Sequence, residues 1–575
     1  MAESEVRSAS DNTEASREKA GRPEASREKA GRPEAGRNKP GRPEAGREKP
    51  GTADVDAVTT TPQALRRAAQ LWPDALAVID DQWGEPASLT WAQLHAQART
   101  FATGLISHGI VAGDRVALWA PNSYHWPIAA LGSHYAGATL VPLNTRYTAP
   151  EALDIIERTH AAVLVVVGNF LGVEKYDDLL AAAAGESGGE TLAASTVIRI
   201  RLDADEARRA GTIDWGDFQA TAAALDHDAA DRRADAVSPT DISDILFTSG
   251  TTGRSKGVLA QHQQTINGSR AWGRNGQLSP ADRYLMVNPY FHTFGYKAGI
   301  LVCTLFGATM LPLAVYSTAG AMELVQTRKA TVFPGAPTIF QTILDDPHRP
   351  EFDLSSVRLV VTGASIVPVV LVERIQADLG VDTVITAYGL SETSGFVSTC
   401  TPDDDDQTVA NTCGRAFEGM EITLSDAGEV LARGKMVMQG YLDDPAATAE
   451  AIDTDGWLHT GDIGTIDEHG NLRITDRLKD MYISGGFNVY PAEVEQVLSR
   501  IDGVTEAAVV GVADDRLGEV GKAFVTVRED GSITEGEVIE FAKQRLAGFK
   551  VPRSVEFVTA FPRNAAGKIL KRELV

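Results

Sequence analysis

Cysteine is nearly absent from this chain, which holds only Cys303, Cys400 and Cys413 in 575 residues. Three thiols cannot staple a protein of this size. None are spaced C-x-x-C, so neither a disulfide framework nor a thiolate zinc site is supported. Such usage suits a reducing compartment and points to a cytoplasmic address. Long apolar runs are missing too, which excludes a membrane-spanning helix of roughly 20 residues. Positive charge is in short supply: 54 Lys and Arg stand against 78 Asp and Glu, a net charge of −24. A field of that sign repels phosphate, so general affinity for nucleic acid or an anionic bilayer is excluded, although a local cationic pocket is not. The opening MAESEVRSAS lacks the apolar stretch of a secretory leader. The closing KRELV is neither a peroxisomal nor an ER-retention address.

What is present is a large globular body behind an unusual tail. At roughly 100–200 residues per domain the length allows about three to five domain-sized units. From Glu14 a decapeptide recurs as EASREKAGRP, EASREKAGRP, EAGRNKPGRP and EAGREKPGT. Pro and Gly at fixed places break any helix and almost nothing apolar can be buried, so residues 1–57 are read as a disordered, solvated tail. Beyond Val58 the rhythm changes. TPQALRRAAQL and SLTWAQLHAQARTFATGLISHG carry apolar residues at helical spacing, the second ending at Gly109. RVALWA, TLVPLN, AAVLVVVGN, ILFTSG, ATVFPG, VRLVVTGAS and DTVITAYG are short continuous apolar runs that each lead into a small-residue loop. Strands of this kind between helices indicate an α/β fold whose parallel sheets are buried on both faces. Ligands in such folds collect at the carboxyl ends of the strands. Composition shifts again after Ile474, where TDRLKDMYISGGFNVY reads as a charged loop before a helix at Pro491. The chain is therefore divided into a large N-terminal body at 58–478 with parallel-sheet subdomains and a small C-terminal α+β lid at 479–575.

The most informative segment is TSGTTGRSKG, residues 248–257, directly after an apolar strand. Its hydroxyls, unhindered backbone N–H groups and two cations suit the cradling of a polyphosphate. It is not a Walker A loop, because Gly250 and Gly253 are too close together and Gly257, not a hydroxyl, follows Lys256. Four further segments stand apart: YGLSET at 388–393, WLHTGD at 457–462, RLKD followed by SGGFN at 477–488, and PRNAAGK at 562–568. With the 248–257 loop they resemble, in the same order, the motifs of the adenylate-forming acyl-CoA synthetases, luciferases and peptide-synthetase adenylation domains. The likeness runs from about residue 58 to the end and leaves out only the repeats.

That resemblance implies a reaction: a carboxylate and ATP give an acyl-adenylate and pyrophosphate, and a thiol then displaces AMP. Attack of a carboxylate on the α-phosphate brings two anions together, so cations and dipoles must face the developing charge. By motif match Lys568 bridges the two. Glu392 is the implied ligand of Mg2+, a hard oxygen for a hard cation. Thr248, Ser249, Gly250, Thr251, Thr252, Gly253 and Lys256 would cradle the phosphates, with Thr393 adding a hydroxyl. Tyr388 and Gly389 would meet adenine, with Gly363 and Ala364 on its other face, while Asp462 and Arg477 would hold the ribose. His292, in NPYFHTFG, is implied to orient the acyl carboxylate and gate the route of the thiol. Lys479 falls on the hinge about which the lid would rotate, bringing Gly485 and Gly486 to the site for thioester formation.

The implied acceptor is CoA, since no carrier-protein domain is recognisable. Lys297, five residues past His292, lies where the family lines its acyl pocket. It either snorkels to the surface or sits beside a substrate ketone or second carboxylate. LNTRYTAPEALDII, HTFGYKAGIL and ITDRLKDMYISGGFNVYPAEVEQVL look most like the actinobacterial branch that activates the indanedione-propanoate left by steroid ring cleavage. A medium-chain or aromatic acid:CoA ligase is the alternative within the family, and a catalytically silent nucleotide- or acid-binding relative is the alternative outside it. The oligomeric state stays open, a homodimer included.

Overall fold

The computed structural model describes residues 53–575, apart from 84–85, 188–191, 193, 204, 249–254, 364–366, 368, 478–479, 485–486, 490, 515–516, 529–532, 547 and 564–568. The expected helices form where periodicity and capping agree. Thr90 and Gln93 make a reciprocal capping box at the head of helix Trp91–Ser107, and Gly109 at φ +88° leads the chain away from its end.

Two sheets build the large body. In one, strands Thr383–Tyr388, Leu359–Gly363, Val332–Gly335, Arg283–Met286, Thr309–Pro312 and Leu76–Asp80 lie side by side in parallel. In the other, Ile242–Thr248, Thr139–Pro142, Arg115–Trp119, Val163–Val167, Thr196–Ile200 and Ile213–Asp214 do the same. Every residue of Val163–Val167 and of Thr309–Pro312 is buried, as continuous apolar strands require. The parallel α/β reading therefore holds, and the helix His125–Tyr135 is buried all round.

Antiparallel pieces were less visible in the sequence. Lys256–Gln261 folds back on Ile242–Thr248, and the short strand Gly440–Tyr441 closes that edge. A four-stranded antiparallel sheet follows, made of Met420–Leu424, Glu429–Gly434, Leu458–Ile466 and Leu472–Arg477. The stretch read as a charged loop in fact contains the end of strand Leu472–Arg477, then Tyr482–Ser484 and Phe487–Val489. Short strands of this kind are fixed by the neighbour they pair with, so local polarity misleads. The C-terminal part packs Val494, Leu498, Val509, Val525 and Val538 into a core of its own. No helix among the described residues is long and apolar enough to cross a membrane.

His125 and His134 are two of the histidines buried deep in the body. Burial pushes His125 down to about 3 and His134 down to about 4. Both are neutral when folded and bind a proton on unfolding below the ordinary histidine value, so each removes stability as pH falls from about 6.5 towards its folded value. The slope is about 1.4 kcal/mol per pH unit per group. The melting temperature should therefore fall between pH 7 and pH 5, and His125→Gln should flatten that fall. An unchanged pH dependence in the variant would contradict the assignment.

Candidate active site

Parallel pairing sends two carboxyl ends towards the same region. The strand ending at Thr248 enters the 249–254 segment and returns as Lys256–Gln261, with Thr248 and Lys256 as the last register pair. Lys256 lies over the ring of Tyr441, 4.8 Å from its centroid. The Tyr441 hydroxyl donates to Glu392 Oε1 at 2.9 Å. Burial, and then the Glu392 charge, hold the Tyr441 phenol well above its ordinary range, so it stays a donor. Glu392 sits on the one-turn helix Ser391–Thr393 just past strand Thr383–Tyr388, and its carbonyl accepts from the Met438 N–H at 2.7 Å. One cation, one phenol and one carboxylate are thus lined up beside the entrance to the 249–254 segment.

At the end of this same strand, Thr383–Tyr388, the Tyr388 hydroxyl donates to Asp462 Oδ2 at 2.5 Å. Asp462 is 3% exposed and stands opposite Arg477 in strand register. This bond fixes the Tyr388 ring by its edge. Gly363 lies against strand Thr383–Tyr388 so closely that a Cβ there would meet the Ala387 carbonyl oxygen at 2.7 Å, and only glycine permits that approach. Gly389 is similarly constrained, since a Cβ there would meet the Gly395 carbonyl at 2.0 Å.

His292 caps the short helix Thr293–Gly295, its Nδ1 accepting from the Phe294 N–H at 3.2 Å. That bond places the ring proton on Nε2. The ring opens to solvent yet is crowded by protein, which lowers its pKa below the histidine norm. His292 is therefore a neutral imidazole that presents an Nε2–H donor, which suits an orienter of an oxyanion rather than a base. Its neighbour Thr293 packs against Gly395, whose φ is +93°, so the His292 and Glu392 segments touch.

Two expectations change. Thr393 is fully buried, and its hydroxyl donates to the Leu390 carbonyl at 3.0 Å while accepting from the Leu390 N–H at 3.1 Å. It braces the Glu392 turn and has no free hydroxyl for phosphate. Lys297 does not reach the surface. It is fully buried, with Nζ 2.9 Å from Asp244 Oδ1. A cation inside the fold needs a partner, and the strand carrying Thr248 supplies it.

Ser249, Gly250, Thr251, Thr252, Gly253, Ala364, Lys479, Gly485, Gly486 and Lys568, together with most of the repeat tail, lie outside the described residues, as does the side chain of Arg477. Around Lys568 the flanks are defined: Arg563 bridges Ile569, and the Leu570 N–H donates to the Pro562 carbonyl at 2.8 Å. Lys571, the other lysine of this tail, is held by Glu495 at 2.8 Å. Tyr441 was missed by sequence reasoning, since a two-residue strand has no periodicity and its role depends on a tertiary pairing.

Among the described residues no group of three or more His, Cys, Asp or Glu side chains could hold a metal ion. Glu392 alone fits a divalent cation that keeps its water and takes phosphate oxygens as its other ligands, which is how Mg2+ is usually held.

The profile of the AMP-binding enzyme domain matches residues 65–442, and that of the AMP-binding enzyme C-terminal domain matches residues 493–568. The chain belongs to the AMP-binding enzyme family. It is 55% identical over 516 residues to a 7a-methyl-1,5-dioxo-octahydro-1H-inden-4-yl-propanoyl:CoA ligase of Rhodococcus jostii, covering 90% of this chain and 98% of that one. A ligase of the same name from Mycobacterium tuberculosis is 53% identical over 521 residues, with 90% and 99% covered. Among solved structures, ATP-bound MatB from Rhodopseudomonas palustris superposes with a TM-score of 0.77 at 29% identity, covering 89% of this chain and 98% of that one.

Tyr441→Phe tests the cluster. Losing a hydrogen bond to a charged group costs about 1.5–3 kcal/mol, so ATP–pyrophosphate exchange should slow by roughly 10- to 100-fold with the fold intact. An unchanged rate would show that Tyr441 does not hold Glu392.

Proposed function

We propose that the protein is an ATP-dependent acid:CoA ligase that works through an acyl-adenylate, and that its acid is the bicyclic diketone carrying a propanoate arm for which the Rhodococcus and Mycobacterium ligases are named. The observation that carries this reading is the 55% identity sustained over nearly the whole of both chains.

In this reading a carboxylate oxygen attacks the α-phosphorus and pyrophosphate leaves; CoA sulfur then attacks the acyl carbonyl, and AMP leaves with the carboxylate oxygen. Residues 248–253 and Lys256 bind the β- and γ-phosphates. Lys568 bridges acyl carboxylate and α-phosphate while the new bond forms, as a point charge on a flexible stem can do. His292 donates from Nε2 towards the acyl oxygen and later leaves the thiol a path. Tyr388, held by its hydroxyl on Asp462, offers its ring face to adenine, with Gly389 beside it and Gly363 and Ala364 opposite. Asp462 and Arg477 take the ribose hydroxyls. Glu392 would hold Mg2+, which when bound neutralises phosphate charge. Lys479 lies at the hinge between the body at 58–478 and the lid at 479–575, whose rotation brings Gly485 and Gly486 to the site for the thiol step. Cysteine usage supports a cytoplasmic address.

AMP release with ATP, Mg2+ and CoA against the indanedione-propanoate, a steroid side-chain acid, octanoate, palmitate and a coumarate tests the substrate. Selective turnover of the bicyclic acid is expected; preference for octanoate or coumarate would discard it while keeping the reaction. Lys568→Ala should abolish adenylation yet spare thioester formation from supplied acyl-AMP. Equal loss in both half-reactions would contradict its role.

A further inference from the structure

A buried ion pair lies behind the site and belongs to none of its binding groups. Asp244 and Lys297 are both fully buried, with Nζ 2.9 Å from Oδ1 in a charge contact rather than an aligned hydrogen bond. The other carboxylate oxygen, Oδ2, accepts from the Ser243 hydroxyl at 2.7 Å and from Thr265 at 3.3 Å. The ammonium also reaches the hydroxyl of Ser394 at 3.4 Å. His134, whose imidazole touches the Ser243 carbonyl at 2.9 Å, is kept neutral by burial and does not compete as a cation.

The location of these groups matters more than their number. Asp244 is four residues before Thr248 on the same strand. Lys297 is five residues past His292, on a π-helix at Tyr296–Leu301, a rare form that recurs at functional sites. Its carbonyl is pinned by the Ser269 hydroxyl at 2.8 Å. Ser394 is two residues past Glu392, 1% exposed, and adopts φ +56°, an unfavourable conformation for a serine that its surroundings must hold. One ammonium thus joins the three segments that carry the phosphate loop, the imidazole and the carboxylate. Burying two charges is a poor route to stability, because a neutral pair of similar volume costs little or even stabilises. Fixed geometry is what such a pair can supply.

We propose that the Asp244–Lys297 pair is a positioning device: it sets the spacing of the Thr248 strand, the His292 segment and the Glu392 turn, and it acts on the rate of acid activation rather than on substrate affinity or global stability. The kinetic part rests on the ligase reading above. Either single neutral variant would strand a buried charge, so the test is the double variant Asp244→Asn/Lys297→Met. Its melting temperature should stay within about 3 °C of wild type. Amide hydrogen exchange over residues 390–396 should quicken at least ~10-fold, with protection elsewhere retained. The kcat for ATP–pyrophosphate exchange should fall ~30-fold or more while KM for acid and ATP moves less than ~3-fold. A double variant with unchanged protection and a rate within ~3-fold of wild type would overturn the proposal, as would activity lost only in proportion to folded protein. If the wild-type enzyme exchanges pyrophosphate with no acid, the ligase reading has failed, and the exchange pattern at 390–396 alone decides the positioning claim.

Discussion

Parallel strand pairing is the constraint on which everything else in this molecule depends. Strands that run the same way bring their carboxyl ends, and the loops that leave them, to one edge of the sheet. Here that rule brings Thr248, Gly363 and Tyr388 to strand ends, and puts the Glu392 turn just beyond one of them. From the other sheet, the antiparallel return at Lys256 and the short strand at Tyr441 bring a cation and a phenol to Glu392. None of these groups is long-range in its chemistry. Each reaches its partner because the backbone has already brought the two ends together.

The electrostatics follow from that frame. A chain with a net charge of −24 is a poor host for ATP unless it concentrates positive charge locally. Among the described residues the cation beside Glu392 is Lys256, spread over the face of Tyr441 rather than paired to a carboxylate. Lys297, which the sequence placed by the acyl pocket or at the surface, is paired with Asp244. The proposed reaction assigns the acid-activating charge to Lys568, in the segment at 564–568 outside the described residues. Lys571, three residues further on, is already committed to Glu495.

The sequence made the architecture legible because apolar strands buried on both faces leave continuous runs such as VLVVV, and each run ends at a small-residue loop. The motifs were legible for the same reason: glycines at 363 and 389 are demanded by backbone approach, not by choice of ligand. What stayed hidden depends on contacts far apart in the chain. Asp244 and Lys297 are 53 positions apart by their numbers, and no local pattern pairs them. Thr393 looked like a ligand because its motif is polar, yet burial turned its hydroxyl inward onto Leu390. The strands near Tyr482 looked like loop because pairing with a neighbour outweighs their local composition.

The central claim, that an acyl-adenylate links ATP cleavage to thioester formation, has a direct isotopic test. The propanoate substrate is labelled with oxygen-18 in its carboxylate, turned over with ATP and CoA, and the products are weighed by mass spectrometry. The account predicts that one labelled oxygen appears in AMP and none in pyrophosphate, because the carboxylate oxygen that attacks the α-phosphorus departs with it. Label in inorganic phosphate, or unlabelled AMP, would contradict it.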